Sequence, residues 1–520
     1  MAFGKGYGSG GFGSAKPRFD SLQNASQQKP STAPIPPASY AESPEISKLS
    51  EEEVSAFRAK HEMYVLGRQA PRPIKSFSQV DFGSQLIHKR LLASGFQEPT
   101  PIQAQGWPVA LSGKNLVGIA QTGSGKTLSY GLPALSHIKR VSSIRVSERN
   151  PIVLVLAPTR ELACQIQEVV RPYGNLMRQR TVCVYGGVPK GSQGRLLRDG
   201  CDIVIATPGR LQDFVDAGEV SLSEISFLVL DEADRMLDMG FEPQIRKLLE
   251  SIRPDLQVLL WSATWPKGVQ RLAHDLLGRD FIQINIGRED THTLTANKKI
   301  HQRILFDKED KEGTLVKLLL SILENGPDAW IKEEKESSNP DSLNPQSLPK
   351  TIVFCNKKRI CDDLANKAYQ DGWHCDSLHG DKTQQQRDAV LVAFKSGKTP
   401  LLFATDVAAR GLDVKDVRVV INFDMPADVE DYVHRIGRTA RGSDERFGCA
   451  YAFFSTSEDK GLVKDLVGLL QNAQQPVPEQ LKALLPRSRP NTYSRYNGGF
   501  GSRGGFRGRR GGRGGSYRPY

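Results

Sequence analysis

The feature that most constrains this chain is a Gly-rich turn between an apolar run and a segment able to begin a helix. The apolar run covers residues 115–119, and the turn leads into Lys126 and Thr127. Backbone N–H groups of such a turn converge on an anion, and the dipole of the following helix adds about half a positive charge there. The pattern G-x-x-x-x-G-K-S/T, with Ala120 in place of the first Gly, predicts a phosphate site at a strand–helix junction. Its residues are Ala120, Gln121, Thr122, Gly123, Ser124, Gly125, Lys126 and Thr127.

A chain of 520 residues is too long for one hydrophobic core and should form two or three domains. Its 38% hydrophobic and 25% charged residues are typical of a globular protein with disordered segments attached. The net charge is +12, but nine Arg and no acidic residue lie in 487–520, so only about +3 remains for the rest of the chain. The folded part is therefore expected to bind any polyanion through local basic patches.

Cysteine usage and hydropathy indicate the cellular compartment. Seven scattered Cys residues without a C-x-x-C pair predict reduced thiols in a cytosolic or nuclear protein, and they make a zinc site unexpected. The first residues lack an apolar core of signal-peptide length, and no run of about 18 apolar residues occurs. We therefore expect neither a secreted protein nor a membrane protein.

After the turn, near-continuous apolar runs alternate with helix-length segments. Such runs predict strands of a parallel sheet covered on both faces, and they lie at 152–157, 181–185, 202–206, 227–230 and 258–261. Each run ends in a short polar or Gly-containing tag. Because the carboxyl ends of parallel strands meet at one edge of the sheet, the tags should form one site. They begin at Pro158, Gly186, Thr207, Asp231 and Ser262.

Two further signals add chemistry to the phosphate site. Asp231 can hold Mg2+, and Glu232 can position and deprotonate an attacking water, while the alternative for Asp231 alone is a helix N-cap. Ahead of the turn, the Gln103 amide could read a purine edge and Phe96 could stack on the base. Taken alone, Gln103 fits a solvated side chain better than a ligand.

A second α/β pattern follows a polar segment, with apolar runs at 301–306, 351–355, 401–404 and 419–423 but no phosphate turn. Arg435, Arg438 and Arg441 are spaced by three on a predicted helix and should project from one side of it. Such a face is either solvated or supplies arginine fingers to the nucleotide across a cleft, which would make hydrolysis depend on domain closure.

These patterns define the expected organisation. The last segment combines Arg with Gly and aromatic residues, which suits single-stranded RNA, although a purely solubilising tail is the alternative. The segments are a disordered Gly/Ser/Pro-rich tail at 1–48, a helical lead-in at 49–74, a first domain at 75–287, a linker at 288–300, a second domain at 301–475 with an acidic insertion at about 325–350, and a C-terminal extension at 476–520.

With the tetrapeptide Asp231-Glu232-Ala233-Asp234 and the ordered tags over about 75–475, the chain resembles the DEAD-box RNA helicases. The segments 105–111 and 262–266 resemble the eukaryotic nuclear branch linked to splicing, transcription and ribonucleoprotein remodelling. The resemblance implies an α/β fold of two tandem RecA-like domains with disordered tails. It also implies an ATP- and Mg2+-dependent monomer that unwinds RNA and remodels ribonucleoproteins with partner proteins, in the nucleus and also the cytoplasm.

The resemblance also implies roles for individual residues. Catalysis would use Lys126, Asp231, Glu232, Arg438 and Arg441. Nucleotide binding would add Phe77, Phe96, Gln103 and Asp413 to the phosphate turn, with Thr127 and Asp231 at Mg2+. Ser262, Thr264, Asp234 and His434 would couple the domains. RNA would contact Pro158, Thr159, Arg160, Gly187, Thr207, Gly209, Arg210, Asn356, Arg387 and Thr405.

Two other classes remain open from the sequence. One is an RNA clamp or adaptor whose ATP cycle only times its release. The other is an ATPase that acts on protein or DNA, which the Arg-Gly-Gly tail disfavours. Intact Glu232, Ser262, Thr264, Arg438 and Arg441 favour the enzyme, because a scaffold would not need them.

Overall fold

The computed structural model describes residues 33–38, 40–121, 123–287, 296–306, 310–329, 344–406, 414, 416–440 and 447–485. Its helices are α1 Pro44–Ser47, α2 Glu51–Lys60, α3 Gln85–Ala93, α4 Pro101–Leu111, α5 Lys126–Val141, α6 Arg160–Leu176, α7 Lys190–Arg198, α8 Pro208–Asp216, α9 Ala233–Asp238, α10 Glu242–Leu249, α11 Lys267–Leu277, α12 Lys311–Asn325, α13 Lys358–Gln370, α14 Gln384–Lys395, α15 Val429–Ile436, α16 Val463–Asn472 and α17 Glu479–Ala483.

The strands form two sheets, one in each lobe. The first contains β1 Met63–Leu66, β2 Asn115–Ile119, β3 Val153–Leu156, β4 Thr181–Val184, β5 Ile203–Ala206, β6 Phe227–Leu230, β7 Gln257–Ser262 and β8 Phe281–Ile286. The second contains β9 Ile300–Phe306, β10 Thr351–Phe354, β11 Cys375–Leu378, β12 Leu401–Ala404, β13 Val419–Asn422 and β14 Gly448–Phe454.

The order of the first sheet brings the polar tags together. It runs β1-β8-β2-β7-β6-β3-β5-β4, and every pair is parallel except β1 with β8. The end of β2 therefore lies beside the end of β7, followed by the ends of β6 and β3. In register, Ile119 pairs with Ser262. The prediction that the tags share one edge of a parallel sheet is confirmed.

Apolar side chains fill both faces of this sheet, as near-continuous apolar strands require. Trp261 on β7 is fully buried and lies over Gly118 on the neighbouring strand β2. A Cβ atom at residue 118 would lie 2.3 Å from the indole ring, so only Gly fits there. This close approach keeps β2 and β7 in contact directly behind the phosphate turn.

The second sheet is parallel throughout and has the order β11-β12-β10-β13-β14-β9. Its faces are covered by separate apolar clusters. The four strands predicted for this lobe are all present. The prediction missed β11 and β14, and it missed β1 and β8 in the first lobe. Strands β1 and β11 have only four residues each and are partly exposed, so the apolar pattern alone does not distinguish them from loops.

The N-terminal segment differs from the prediction. Disorder was expected up to residue 48, yet 33–38 and 40–48 lie against the first lobe. Ile46 is 1% exposed, Ser43 caps α1, and the Arg253 guanidinium donates to the carbonyl of Ala33 at 2.8 Å. A few apolar anchors, including Ile35 and Tyr40, stabilise a segment whose average composition suggests disorder.

The predicted lead-in helix is present as α2, which begins with a capping box between Ser50 and Glu53. In the described part of the chain, no helix has both the length and the apolar character needed to cross a membrane.

Candidate active site

The phosphate turn has the strained backbone that Gly permits. Gly123 and Gly125 have φ angles of 82° and 95°, and α5 begins directly afterwards at Lys126. Lys126 is buried, and its ammonium donates to the Ala120 carbonyl at 2.9 Å. A phosphate would be a stronger partner, because charge-assisted hydrogen bonds are about twice as strong as those to neutral groups. The turn therefore places the Lys126 ammonium where it can bind a phosphate.

Gln103 links the helix before the turn to the turn itself. Its Oε1 accepts from the Thr100 N–H and its Nε2 donates to the Gly125 carbonyl, both at 3.1 Å. A Cβ at residue 125 would lie 2.6 Å from that Nε2, so the turn and Gln103 are closely fitted. One N–H and one lone pair of the amide remain for a base. Adenine reading by Gln103 stays a prediction.

The two phenylalanines assigned to the nucleotide lie in different surroundings. Phe96 is 38% exposed, so its ring is accessible to a base. Phe77 is 6% exposed and packs with its ring centroid 6.0 Å from that of Trp107 on α4. The Phe77 ring is thus part of the core that supports the helix carrying Gln103, and its assignment to nucleotide binding stays a prediction.

Asp231 follows β6 and faces the phosphate turn. It is 3% exposed, accepts from the Tyr130 hydroxyl at 2.7 Å through Oδ2, and accepts from the Glu232 N–H at 3.0 Å through Oδ1. Burial raises the pKa of its carboxyl to about 6, even though the Lys126 charge opposes the shift. A buried carboxylate of this kind gains from a nearby cation.

Glu232 adopts a left-handed backbone conformation with φ 54° and ψ 55°. For a residue with a Cβ this costs on the order of 1–3 kcal/mol, and such strain concentrates at functional sites. The N-cap alternative does not fit, because no side-chain cap is formed at the start of α9. The strain turns the chain between the buried Asp231 and α9 and leaves the Glu232 side chain half-buried at the edge of the site.

Asp234 connects the acidic motif to the coupling motif and to the second lobe. Its Oδ2 accepts from the Thr264 hydroxyl at 2.7 Å and from the N–H groups of Ala263 and Thr264. His434 Nε2 of α15 lies 3.8 Å from the same oxygen. Burial would raise the pKa of Asp234, but the His434 charge and the Thr264 hydrogen bonds outweigh burial and lower it.

A second contact between the lobes lies beside the first. Arg235 on α9 is 3% exposed and pairs with Asp238 at 3.1 Å and with Asp431 of α15 at 3.2 Å. Burial, and then the charges of Asp428, Asp234, Asp238 and Asp431, raise the pKa of Glu430 to about 7. The facing ends of α9 and α15 are thus a compact cluster of acids with few cations.

Two predicted RNA residues form reciprocal ion pairs across the cleft. Arg160 on α6 pairs with Asp388 on α14 at 3.0 Å, and Arg387 on α14 pairs with Glu161 on α6 at 3.0 Å. The Arg160 guanidinium also lies 4.7 Å from the Tyr185 ring centre. Both arginines therefore line the junction of the lobes, where an RNA spanning it would meet them.

The other predicted RNA residues lie at strand ends of the same edge. The Thr159 side chain caps α6, Thr207 occupies the N-cap position of α8 without a side-chain cap, and Arg210 donates to the Val188 carbonyl at 3.0 Å. They accompany Pro158 before α6 and Gly209 within α8. A Cβ at Gly187 would lie 3.6 Å from Gln384 of α14, which places this turn against the second lobe. Their contacts with RNA stay a prediction.

In the second lobe, the prediction of a basic helical face is wrong. Arg435 is 2% exposed and points inward, where it pairs with Asp406 at 2.6 Å and donates to Asn356 Oδ1 at 2.7 Å. Helix α15 ends at Ile436, so Arg438 lies in the following turn, and its Nε donates to the His434 carbonyl at 3.1 Å. Spacing by three cannot place residues on one face beyond the helix end.

Asn356 and Thr405 follow β10 and β12 at the carboxyl edge of the second sheet. The Asn356 side chain donates to the Met425 carbonyl at 2.8 Å besides accepting from Arg435, so its side-chain groups serve the lobe itself. Its assigned RNA contact stays a prediction. Three assigned residues lie outside the described part of the chain: Thr122, Asp413 and Arg441.

The donors at this edge suit Mg2+ with a nucleotide. Thr127 and Asp231 offer hard oxygen ligands, which Mg2+ prefers, and the buried Ser124 hydroxyl has no hydrogen-bond partner among the described residues. Within those residues, no group of three or more His, Cys, Asp or Glu side chains could hold a metal by itself. Mg2+ usually keeps waters and substrate phosphates as ligands, so a two-ligand site fits it.

Several residues of the site were missed from the sequence. Tyr130 contacts Asp231, Glu161 and Asp388 complete the ion pairs between the lobes, and Asp431 pairs with Arg235. No motif identifies them, because each acts on a partner between 101 and 228 positions away in the chain. Only the adjacency of opposite charges in Arg160-Glu161 and Arg387-Asp388 offers a weak signal.

Together, the phosphate turn, the acidic strand end beside it and the second lobe closing on both define a two-lobed nucleotide hydrolase. Family models agree. Residues 100–272 match the DEAD/DEAH box helicase model, and residues 335–443 match the helicase conserved C-terminal domain.

Curated relatives and solved structures identify the family. The chain is 47% identical to ATP-dependent RNA helicase DBP2 of Scheffersomyces stipitis over 470 residues, which are 90% of this chain and 82% of the relative. It is 48% identical to dbp2 of Neosartorya fischeri over 464 residues, 88% and 77% of the two chains. The structure of S. cerevisiae Dbp5 bound to RNA and ADP BeF3 matches with a TM-score of 0.61 and 26% identity, covering 79% of this chain and 100% of that one. The chain belongs to the DEAD-box family of ATP-dependent RNA helicases, and its lobes are RecA-like domains.

Proposed function

We propose that the protein is an RNA-stimulated ATPase that binds RNA across its two lobes and couples ATP hydrolysis to local duplex unwinding and ribonucleoprotein remodelling. The observation that carries the proposal is the position of Asp234. Its buried carboxylate accepts hydrogen bonds from Thr264 in the first lobe and faces His434 of the second lobe at 3.8 Å. The hydrolytic motif is thus in contact with the surface that moves on closure.

Within the site, each residue has a defined task. Lys126 would bind the β- and γ-phosphates, and Glu232 would orient and deprotonate the attacking water. Mg2+, when bound, neutralises phosphate charge and would be held by Thr127 and Asp231. Arg438 follows α15 directly, so closure would bring its guanidinium towards the γ-phosphate. Hydrolysis therefore depends on the second lobe being in place.

RNA would favour the closed form by lying across both lobes. Arg160 and Arg387, which pair with acids of the opposite lobe, are suited to phosphate oxygens because of their planar guanidinium groups. Backbone contacts carry little sequence information, so binding would be largely independent of sequence. A duplex that does not fit the closed groove would be locally opened, and phosphate release would allow the lobes to separate.

The decisive experiment measures ATP hydrolysis by the purified protein with single-stranded RNA, with DNA of matched sequence and without nucleic acid. Stimulation by RNA alone supports the proposal and makes duplex unwinding the next assay. Equal stimulation by DNA would contradict the RNA assignment. RNA binding without stimulation would favour the clamp, which the ion pairs between the lobes would serve equally well.

We further propose that the protein acts as a monomer in the nucleus, and also in the cytoplasm, with splicing or transcription ribonucleoproteins as partners. The support is the resemblance of segments 105–111 and 262–266 to the nuclear branch of the family, together with the Arg-rich tail at 487–520. Imaging of the tagged chain and size-exclusion chromatography with light scattering would test location and oligomeric state. Cytoplasmic retention alone, or a stable dimer, would contradict these assignments.

A further inference from the structure

A buried tyrosine lies directly behind the phosphate turn. Tyr130 is one turn beyond Thr127 on α5 and is fully buried. Its hydroxyl donates to Asp231 Oδ2 at 2.7 Å. The phenol therefore contacts one of the two residues that offer oxygen ligands to a metal ion, and it lies about one helical turn from the other, Thr127.

The tyrosine ring is fixed from the other side. Its centroid lies 5.9 Å from that of Trp261 at an interplanar angle of 48°. Trp261 is itself fully buried against Gly118, where no Cβ would fit. The position of the hydroxyl is thus set by the packing of β2 and β7 in the core and not by surface loops.

We propose that Tyr130 is a positioning residue that orients the Asp231 carboxylate for Mg2+. This proposal rests on the proposed function. Mg2+ demands near-octahedral geometry and short ligand distances, so small errors in ligand orientation weaken it. Hydrogen bonds to the ligands supply that orientation in many metal sites. With Tyr130 on Oδ2 and the Glu232 N–H on Oδ1, both carboxylate oxygens of Asp231 are held.

The test is Tyr130→Phe in the full chain, which removes the hydroxyl and keeps the ring. A fluorescent ADP is bound in the presence of EDTA, and Mg2+ is then titrated while nucleotide affinity is measured. The half-saturating free Mg2+ concentration is expected to rise about tenfold. Nucleotide affinity without Mg2+ is expected to stay unchanged, because the Tyr130 hydroxyl contacts the Asp231 carboxylate and not a group that is assigned to the phosphates.

Tyr451→Phe is the matched control. Tyr451 is also fully buried, and its hydroxyl donates one hydrogen bond, to the Pro327 carbonyl at 2.8 Å, but it lies on β14 of the other lobe. An unchanged Mg2+ midpoint for Tyr130→Phe, or an equal shift for Tyr451→Phe, would overturn the proposal. If the ADP affinity of the parent protein does not depend on Mg2+, the proposed metal site is overturned, and this inference with it.

Loss of folding is monitored by the melting temperature without nucleotide. If Tyr130→Phe melts early, 3-fluorotyrosine at position 130 preserves both size and donor. Its 19F resonance is expected to shift when Mg2+ is added to the ADP complex, because the ligand that it contacts becomes coordinated. A 19F resonance that does not shift when Mg2+ is added would also overturn the proposal.

Discussion

At the scale of single residues, the site depends on groups held in costly states. Glu232 occupies a left-handed backbone conformation, and Asp231 keeps a carboxylate in a nearly water-free position. Neither state would persist without surrounding structure that enforces it. We interpret both as consequences of placing a metal ligand and a general base within reach of one phosphate.

Glu232→Gln is expected to lower saturated ATP turnover at least about 100-fold, because general-base catalysis contributes about 10²–10⁴-fold. Binding of ATP and RNA should remain, since the side chain stays similar in size and polarity. Turnover is measured with saturating RNA, and binding is measured with a non-hydrolysable ATP analogue. Glu242→Gln, which removes a surface carboxylate paired with Arg246, is the control. Near-normal turnover would exclude Glu232 as the base.

Cys164 is expected to be the most reactive thiol of the described residues. A hydrogen bond from Cys183, then the charge of Arg160, lowers the pKa of its thiol to about 7 against the effect of burial. Burial raises the pKa of Cys201 and of Cys375 to about 12. Because the thiolate is the nucleophile, iodoacetamide should label Cys164 first, with a rate that rises with pH around a midpoint near 7 and levels off above it.

Mass spectrometry of timed samples measures this labelling site by site. Cys164→Ser is expected to remove the fast phase and leave the others unchanged. Labelling at similar rates on several cysteines would show that the local environment of Cys164 does not lower its pKa.

At the scale of elements, the contact of α9 with α15 is unusual in its charge. Arg235 and His434 face five acids: Asp234 and Asp238 on α9, and Asp428, Glu430 and Asp431 at the start of α15. The acids at the start of α15 interact favourably with the positive end of its helix dipole, but the acids of α9 lie close to them and repel them. The repulsion between these acids is expressed at Glu430, because its pKa is raised to about 7.

The direction of the pH effect on stability follows from the linkage between proton binding and folding. A carboxyl whose pKa is higher in the folded state than its ordinary value of 4.5 stabilises the fold when protonated, and this stabilisation is lost as pH rises from about 4.5 to about 7. Glu430→Gln is therefore expected to give a flatter dependence of melting temperature on pH in that range and a higher melting temperature above pH 7.

Scanning calorimetry between pH 5 and pH 8, at about 0.1 M salt, measures the effect. Glu479→Gln, at an exposed position that pairs with Lys482 of the same short helix, is the control and should leave the profile unchanged. Parallel profiles for Glu430→Gln and the parent would refute the assignment.

At the scale of the whole molecule, the two lobes form one site, and we expect the Arg-rich segment 487–520 to add affinity for RNA. Deleting 487–520 removes nine Arg and is expected to weaken RNA binding and flatten its salt dependence, because fewer counterions are released. ATP turnover at saturating RNA should stay nearly unchanged, since the tail contributes no predicted catalytic residue.

Fluorescence anisotropy at several salt concentrations measures the affinity and its slope. A full-length tail with its nine Arg replaced by Gln separates charge from length. An unchanged slope after deletion would show that the tail is a solubilising extension.

The sequence predicted the residues around the phosphate better than those between the lobes. Lys126, Asp231 and Glu232 could be assigned because each lies within a few residues of a strand end, where position in sequence and position in space agree. Arg435 could not, because whether a helical arginine faces solvent or Asp406 depends on packing. The predicted disorder of residues 33–38 and 40–48 was wrong for a related reason, since burial of a few apolar side chains depends on a surface provided by distant segments.

The parallel sheets, the edge at which the tags meet and the family could be predicted from the chain alone, because strand period, Gly-rich turns and short motifs are local. The charges that meet across the cleft and the hydroxyl that supports Asp231 became known only from the folded structure. Those contacts join residues far apart in the chain, and the free energy of burying each group depends on partners that no local pattern specifies.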